Sequence, residues 1–221
     1  MDLHRELRKR VKKGKAKLLQ GYFREKMPFL GVMVPQVREI AKGYYREDKE
    51  RKPNEVYKTV TGLMNGRYHE EKNLALFILQ QYNKHFDVVP FCEKHLSWFD
   101  NWDLTDMIGA GTIGKKALRD KRMIKKFYTW AKSNNLWTRR LAAVSTLPLI
   151  KEKNIEPAMK IARMLAKDRE YMVQKGYAWT LKEAAVIDTK RVVKFLKDHN
   201  SPRLVVNIAK EKMPERVKRT V

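Results

Sequence analysis

The sequence predicts an all-α protein, a HEAT-like solenoid of stacked helix pairs. Three observations carry this reading: apolar residues recur at helical spacing along almost the whole chain, strand-like alternation is absent, and segments repeat at about 34 residues. With 221 residues, 43% of them hydrophobic, the chain is long enough and apolar enough to bury a sizeable core. The expectation is one continuous domain over residues 1–221.

Taken in order, Leu3, Leu7, Val11, Leu18 and Tyr22 place a Lys-rich helix at the N-terminus. Proline marks where later helices begin. Pro35 opens PQVREIAKGYY, Pro53 opens PNEVYKTVTGLM, and Pro202 opens a last helix from Arg203, since a proline in the first turn lacks only an N–H that the helix leaves unused. Joints fall at Asn65-Gly66, Asn134-Asn135 and Asn200, which gives about a dozen helices linked by short turns. Pro148 interrupts the helix that begins near Leu136 and predicts a kink or an early end. The stretch Glu211–Val221 is basic and poor in apolar residues and reads as a frayed tail.

The repeat is visible when YHEEKNLALFIL, NWDLTDMIGAGTI, LWTRRLAAVSTL and YMVQKGYAWTLKEAA are set beneath one another, each the second helix of a pair. A single pair cannot bury its apolar stripe, so neighbours stack into a curved array with one concave face. Residues at the repeat offset then line up across neighbouring helices, and one such row reads Lys72, Asp106, Arg140, Lys175. The three cations suit a stripe that tracks phosphates. Asp106 is the exception. It is either a catalytic carboxylate, ionised because flanking cations lower its pKa, or half of an interhelix ion pair with Arg140 or Arg139. Trp102 stands one turn before Asp106 on the same helix face, and Trp179 stands one turn after Lys175. These indoles either pack on a sugar or base, or belong to the core.

Charge points to the partner. An excess of 49 Lys and Arg over 25 Asp and Glu, net +24, raises a positive surface potential and attracts polyanions, with nucleic acid foremost. The run Lys12, Lys13, Lys15 and Lys17 either touches phosphates or is a solvated face. The single cysteine, Cys92, forms no disulfide within the chain and reads as a small buried apolar residue of a reducing compartment. The longest apolar run, Leu74–Leu79, is too short to span a bilayer, so no membrane association is expected and the protein is placed in the cytoplasm, on the nucleoid. No metal and no cofactor is expected either. His69-Glu70-Glu71-Lys72-Asn73 starts like a zinc-binding HExxH helix but has Asn73 in place of the second histidine. Gly109, Gly111 and Gly114 follow no strand, and they read as close helix packing rather than a phosphate loop.

The stretches FLGVMVPQVREIAK, YHEEKNLALFIL, NWDLTD, NNLWTRRLAAV and MVQKGYAWTLKEAA, in that order from Phe29 to Ala185, resemble the DNA alkylation repair glycosylases of the AlkC/AlkD type. Most specific are Trp102-Asp103-Leu104-Thr105-Asp106 and the Trp-x-x-Arg element Trp137–Arg140. The resemblance implies a right-handed superhelix of antiparallel HEAT-like pairs with a basic concave face. It also implies an enzyme that removes cationic 3-methyladenine and 7-methylguanine from duplex DNA in base excision repair; a basic solenoid can act alone, and a monomer is expected. By the matching motifs, Asp106 looks like the catalytic carboxylate, and Trp102 and Trp179 look like the pair that cradles the deoxyribose. Arg140 looks like the phosphate-binding arginine, with Arg139 able to exchange roles with it, and Lys175 and Lys72 flank the site as further DNA-binding cations.

Alkylation at N3 or N7 makes the purine a cationic leaving group, so little acid is needed. An ionised Asp106 would stabilise the oxocarbenium-like sugar and orient water. The resemblance implies recognition through the backbone, without insertion of the base into a deep pocket. The alternative class is a HEAT-like binder of branched or damaged DNA without catalysis, in which Asp106 is structural.

Overall fold

The computed structural model describes residues 1–220, all but Val221, and it is all-helical, 69% helix with no strand among the described residues. Contacts divide the chain into two compact units, Met1–Trp98 and Phe99–Val221.

The first unit carries α1 (Leu3–Arg8), α2 (Lys15–Gln20), α3 (Val34–Glu47), α4 (Pro53–Met64), α5 (His69–Tyr82) and α6 (Val89–Lys94). Helix α5 lies at its centre, packed by α1, α3 and α4. It is buried nearly all round: from His69 to Leu79, Lys72 alone is not buried. Prolines 35 and 53 sit in the first turns of α3 and α4, as expected.

The N-terminal reading needs correction. One helix from Leu3 to Tyr22 is replaced by two short ones, because Gly14 takes a left-handed φ of 79° and starts α2 anew. Leu3 and Leu7 are buried, whereas Val11, Leu18 and Tyr22 are exposed. The break is held from outside: the Lys12 N–H donates to the Gly31 carbonyl at 3.1 Å.

The HEEKN segment has a structural role. Glu70 accepts the backbone N–H groups of Leu30, Gly31 and Val32 at 2.9, 2.8 and 3.1 Å. Gly31 has a φ of 97°, and a Cβ there would meet the Ala16 nitrogen at 3.0 Å, so glycine is required. Glu71 meets His4 Nδ1 at 2.8 Å and accepts the Tyr68 N–H at 2.8 Å, while the His69 ring packs on Phe23 and Phe29.

The second unit carries α7 (Trp102–Ile108), α8 (Gly114–Arg119), α9 (Arg122–Trp130), α10 (Leu136–Val144), α11 (Leu147–Lys151), α12 (Glu156–Leu165), α13 (Tyr171–Ala185), α14 (Thr189–Asp198), α15 (Arg203–Ala209) and α16 (Glu215–Lys218). Helices α7, α10, α13 and α15 form a rank of neighbours, with α9 and α12 packed behind as first members of the pairs. Leu104, Ile108, Leu141, Val144, Tyr177 and Leu181 are buried between them, and each such leucine or isoleucine contributes about 1.5–3 kcal/mol. Pro148 produces the early end: α10 stops at Val144, and α11 starts with the proline in its first turn. A π-helical turn, Gly109–Ile113, carries α7 into α8. Gly109 and Gly114 are packing glycines, since a Cβ on the first would meet Val144 at 2.7 Å and on the second would run into the Ser145 carbonyl.

The tail is also corrected. Residues 211–220 are largely turn and helix, Met213 is buried, and Glu211 and Lys212 pair with Lys182 and Glu183 of α13 at 3.0 and 2.6 Å; Val221 lies outside the described residues. A lone methionine and two charges 29 residues from their partners leave no local pattern to read.

Candidate functional site

Helix α7 begins where Asn101 accepts the Asp103 and Leu104 N–H groups, both at 3.1 Å, and the Thr105 hydroxyl donates back to the Asn101 carbonyl at 2.7 Å. Such a cap contributes about 1 kcal/mol. It fixes the first turn, with Trp102 at its start and Asp106 one turn on. Asn135 caps α10 in the same way, through the Trp137 and Thr138 N–H groups, and sets Arg140 in the second turn.

The row drawn from the repeat offset closes into contact across α7, α10 and α13. Arg140 donates from Nε and Nη2 to both oxygens of Asp106 at 2.8 and 2.7 Å, and from Nη1 to the Met172 carbonyl at 2.6 Å. The two side chains are only 6% and 16% exposed, so this is a near-buried, bidentate pair. Of the two partners open to Asp106, the structure selects Arg140.

The expected lowering of the Asp106 pKa is not found. Burial pushes it up, outweighing the Arg140 guanidinium, which pulls it down; Asp103 adds to the rise and Lys175 opposes it. Desolvation, invisible in a list of neighbouring charges, decides the direction. Lys175 itself lies over the Tyr171 ring, 5.4 Å from its centre.

Arg139 points elsewhere. It pairs with Asp168 at 2.6 Å and donates from Nη1 to the Ser133 and Asn134 carbonyls at 2.9 and 3.0 Å, tying the α9–α10 turn to the segment before α13. Its donors are engaged by the scaffold, away from Asp106. Both indoles are half-buried rather than core. Trp179 donates from Nε1 to Glu183 at 3.3 Å, and Glu183 is gripped by Lys212 at 2.8 and 2.6 Å. Lys72 stands on α5 of the first unit.

Sequence reasoning missed three participants. The Met172 carbonyl has no residue-type signal at all. Glu183 stands one turn after Trp179, but its partner Lys212 lies in a stretch whose sequence reads as a tail. Gly176, buried on α13, would place a Cβ 3.0 Å from the Arg140 Cγ. Cys92 is fully buried and its thiol is pushed up to about 12 by that burial, as its reading as an inert apolar residue requires.

A nearly buried carboxylate held by a permanent cation, one helical turn from the half-buried Trp102, is a poor acid and a good partner for developing positive charge. Among the described residues no helix is long and apolar enough to cross a membrane.

Comparison with known proteins gives the same direction. The sequence model described as DNA alkylation repair enzyme matches residues 3–213. A protein described as a predicted DNA alkylation repair enzyme from Enterococcus faecalis superposes with a TM-score of 0.82 at 17% identity, over 93% of this chain and 98% of that one. AlkD2 from Streptococcus mutans superposes at 0.62 with 18% identity, over 82% and 90%. The smu.31 protein from Streptococcus mutans UA159 gives 0.62 at 19%, over 82% and 93%. These likenesses establish the helical-repeat fold. No curated protein sequence matches the chain significantly.

Proposed function

Because the chain belongs to the DNA alkylation repair enzyme family, we propose that it is a DNA glycosylase that excises cationic 3-methyladenine and 7-methylguanine from duplex DNA. The observation that carries this reading is Asp106, a nearly buried carboxylate one helical turn from Trp102 and held by Arg140. The lesion base arrives already cationic, so the demand on the protein falls on the sugar, where positive charge spreads as the glycosidic bond breaks. A carboxylate meets that demand, and indole faces add cation–π attraction. Lys175 and Lys72 supply phosphate contacts, and the net charge of +24 supplies long-range attraction to the duplex. The enzyme works as a monomeric repeat array on chromosomal DNA in the cytoplasm and needs no cofactor.

One observation favours a second reading. Both Asp106 oxygens already accept from Arg140, the arrangement of a structural ion pair in a DNA-binding solenoid without catalysis. Incubation with N-methylated duplex DNA separates the two. Free 7-methylguanine or 3-methyladenine in the supernatant supports the glycosylase, and tight binding with no release supports the binder.

A further inference from the structure

We infer that Gly176 is a positioning residue, the gap in α13 through which Arg140 reaches the Met172 carbonyl and is held square to Asp106; its consequence for activity rests on the glycosylase reading above.

A glycine inside a helix costs roughly 1 kcal/mol relative to alanine. At Gly14 and Gly31 a backbone conformation explains the choice, since both have positive φ. Gly176 is not among these, so its backbone does not demand glycine. Space does. The three nearest atoms to a Cβ built at 176 all belong to Arg140: Cγ at 3.0 Å, Nη1 at 3.6 Å and Cα at 3.8 Å.

The geometry of the helix explains why this spot matters. The Met172 carbonyl is the intrahelical acceptor for the N–H of residue 176, and a side chain at 176 would lie back over that same turn. With no side chain there, the carbonyl's second lone pair is open, and Arg140 Nη1 takes it at 2.6 Å. Nε and Nη2 are then fixed on the Asp106 oxygens. One guanidinium is thereby anchored on two helices. A methyl group at 176 must move Arg140 by a few tenths of an ångström, and the carboxylate it holds moves or loosens with it.

The test compares Gly176→Ala with Gly62→Ala, a change in α4 where a Cβ meets nothing within 4 Å. Both remove a helical glycine, so a role confined to helix propensity treats them alike. Asp106 is followed by carboxyl NMR titration, with Arg140, Lys175 and Asp103 as the charged groups facing it. Base release from methylated duplex DNA is measured under single turnover. In Gly176→Ala the Asp106 midpoint is expected to rise as Arg140 recedes. Release is expected to slow by about tenfold, since a misplacement of 1 Å costs on the order of a hundredfold. Gly62→Ala is expected to change neither. An Asp106 midpoint that is the same in wild type and Gly176→Ala overturns the inference. If wild type releases no base, the glycosylase reading fails, and the titration still decides the role of Gly176.

Discussion

Arg140 on α10 donates two hydrogen bonds to Asp106 on α7, so that the carboxylate assigned to chemistry is also the anchor of an interhelix ion pair. Both groups are nearly buried, and removing one leaves the other uncompensated. Breaking a buried pair from one side typically costs about 3–5 kcal/mol. Arg140→Ala is therefore expected to lower unfolding stability by that order in urea titrations, with a shifted midpoint and an unchanged slope. A midpoint equal to wild type contradicts the buried pair.

Burial raises the Asp106 pKa despite Arg140, and the excision proposed for this site needs the ionised carboxylate. The sign follows: protonation sets in at a higher pH than for an ordinary aspartate, so excision is lost on acidification sooner than the usual aspartate range would dictate. Single-turnover release followed from pH 4 to 8, about the range that brackets an upward-shifted carboxylate, is expected to show an acid limb above the ordinary aspartate midpoint. A limb at or below that midpoint removes desolvation as the governing effect.

The row through Asp106 could be read from the chain because repeats preserve spacing. An offset of 34 residues aligns Asp106 with Arg140, but Arg139 stays open as its partner until the side-chain geometry decides for Arg140. Helix-opening prolines and the joint at Asn134-Asn135 are equally readable, since Pro53, Pro202 and Asn135 act through local backbone chemistry. The failures share one cause. Helical periodicity continued from Leu7 to Tyr22 across a left-handed glycine, and it gave Lys212 no partner because that partner is 29 residues away. The Asp106 pKa direction depended on burial, and burial depends on which helices meet.

Arg139 is tied into the scaffold. Its ties to Asp168 and to the Ser133 and Asn134 carbonyls join two turns, and hydrogen bonds to charged groups contribute about 1.5–3 kcal/mol. Arg139→Ala is expected to lower the thermal midpoint while leaving the salt dependence of DNA binding unchanged. A salt slope reduced by about one unit would instead mark a phosphate contact.

Trp179 presents its ring with its N–H held by Glu183. Trp179→Phe keeps an aromatic face and is expected to retain most single-turnover excision. Trp179→Ala removes a cation–π contact of roughly 1–2 kcal/mol and is expected to slow excision by about tenfold. Equal rates for the two variants would assign the indole to packing alone.

The central claim is that Asp106 acts on the sugar and does not only hold Arg140. The direct measurement is 7-methylguanine release from methylated duplex DNA by wild type and Asp106→Asn, each at saturating enzyme, with DNA affinity measured in parallel. Asparagine keeps one acceptor for Arg140 but loses the charge. Excision is expected to fall on the order of a hundred- to a thousandfold with affinity nearly unchanged. Excision and affinity that fall together, or excision that does not fall, would contradict the assignment.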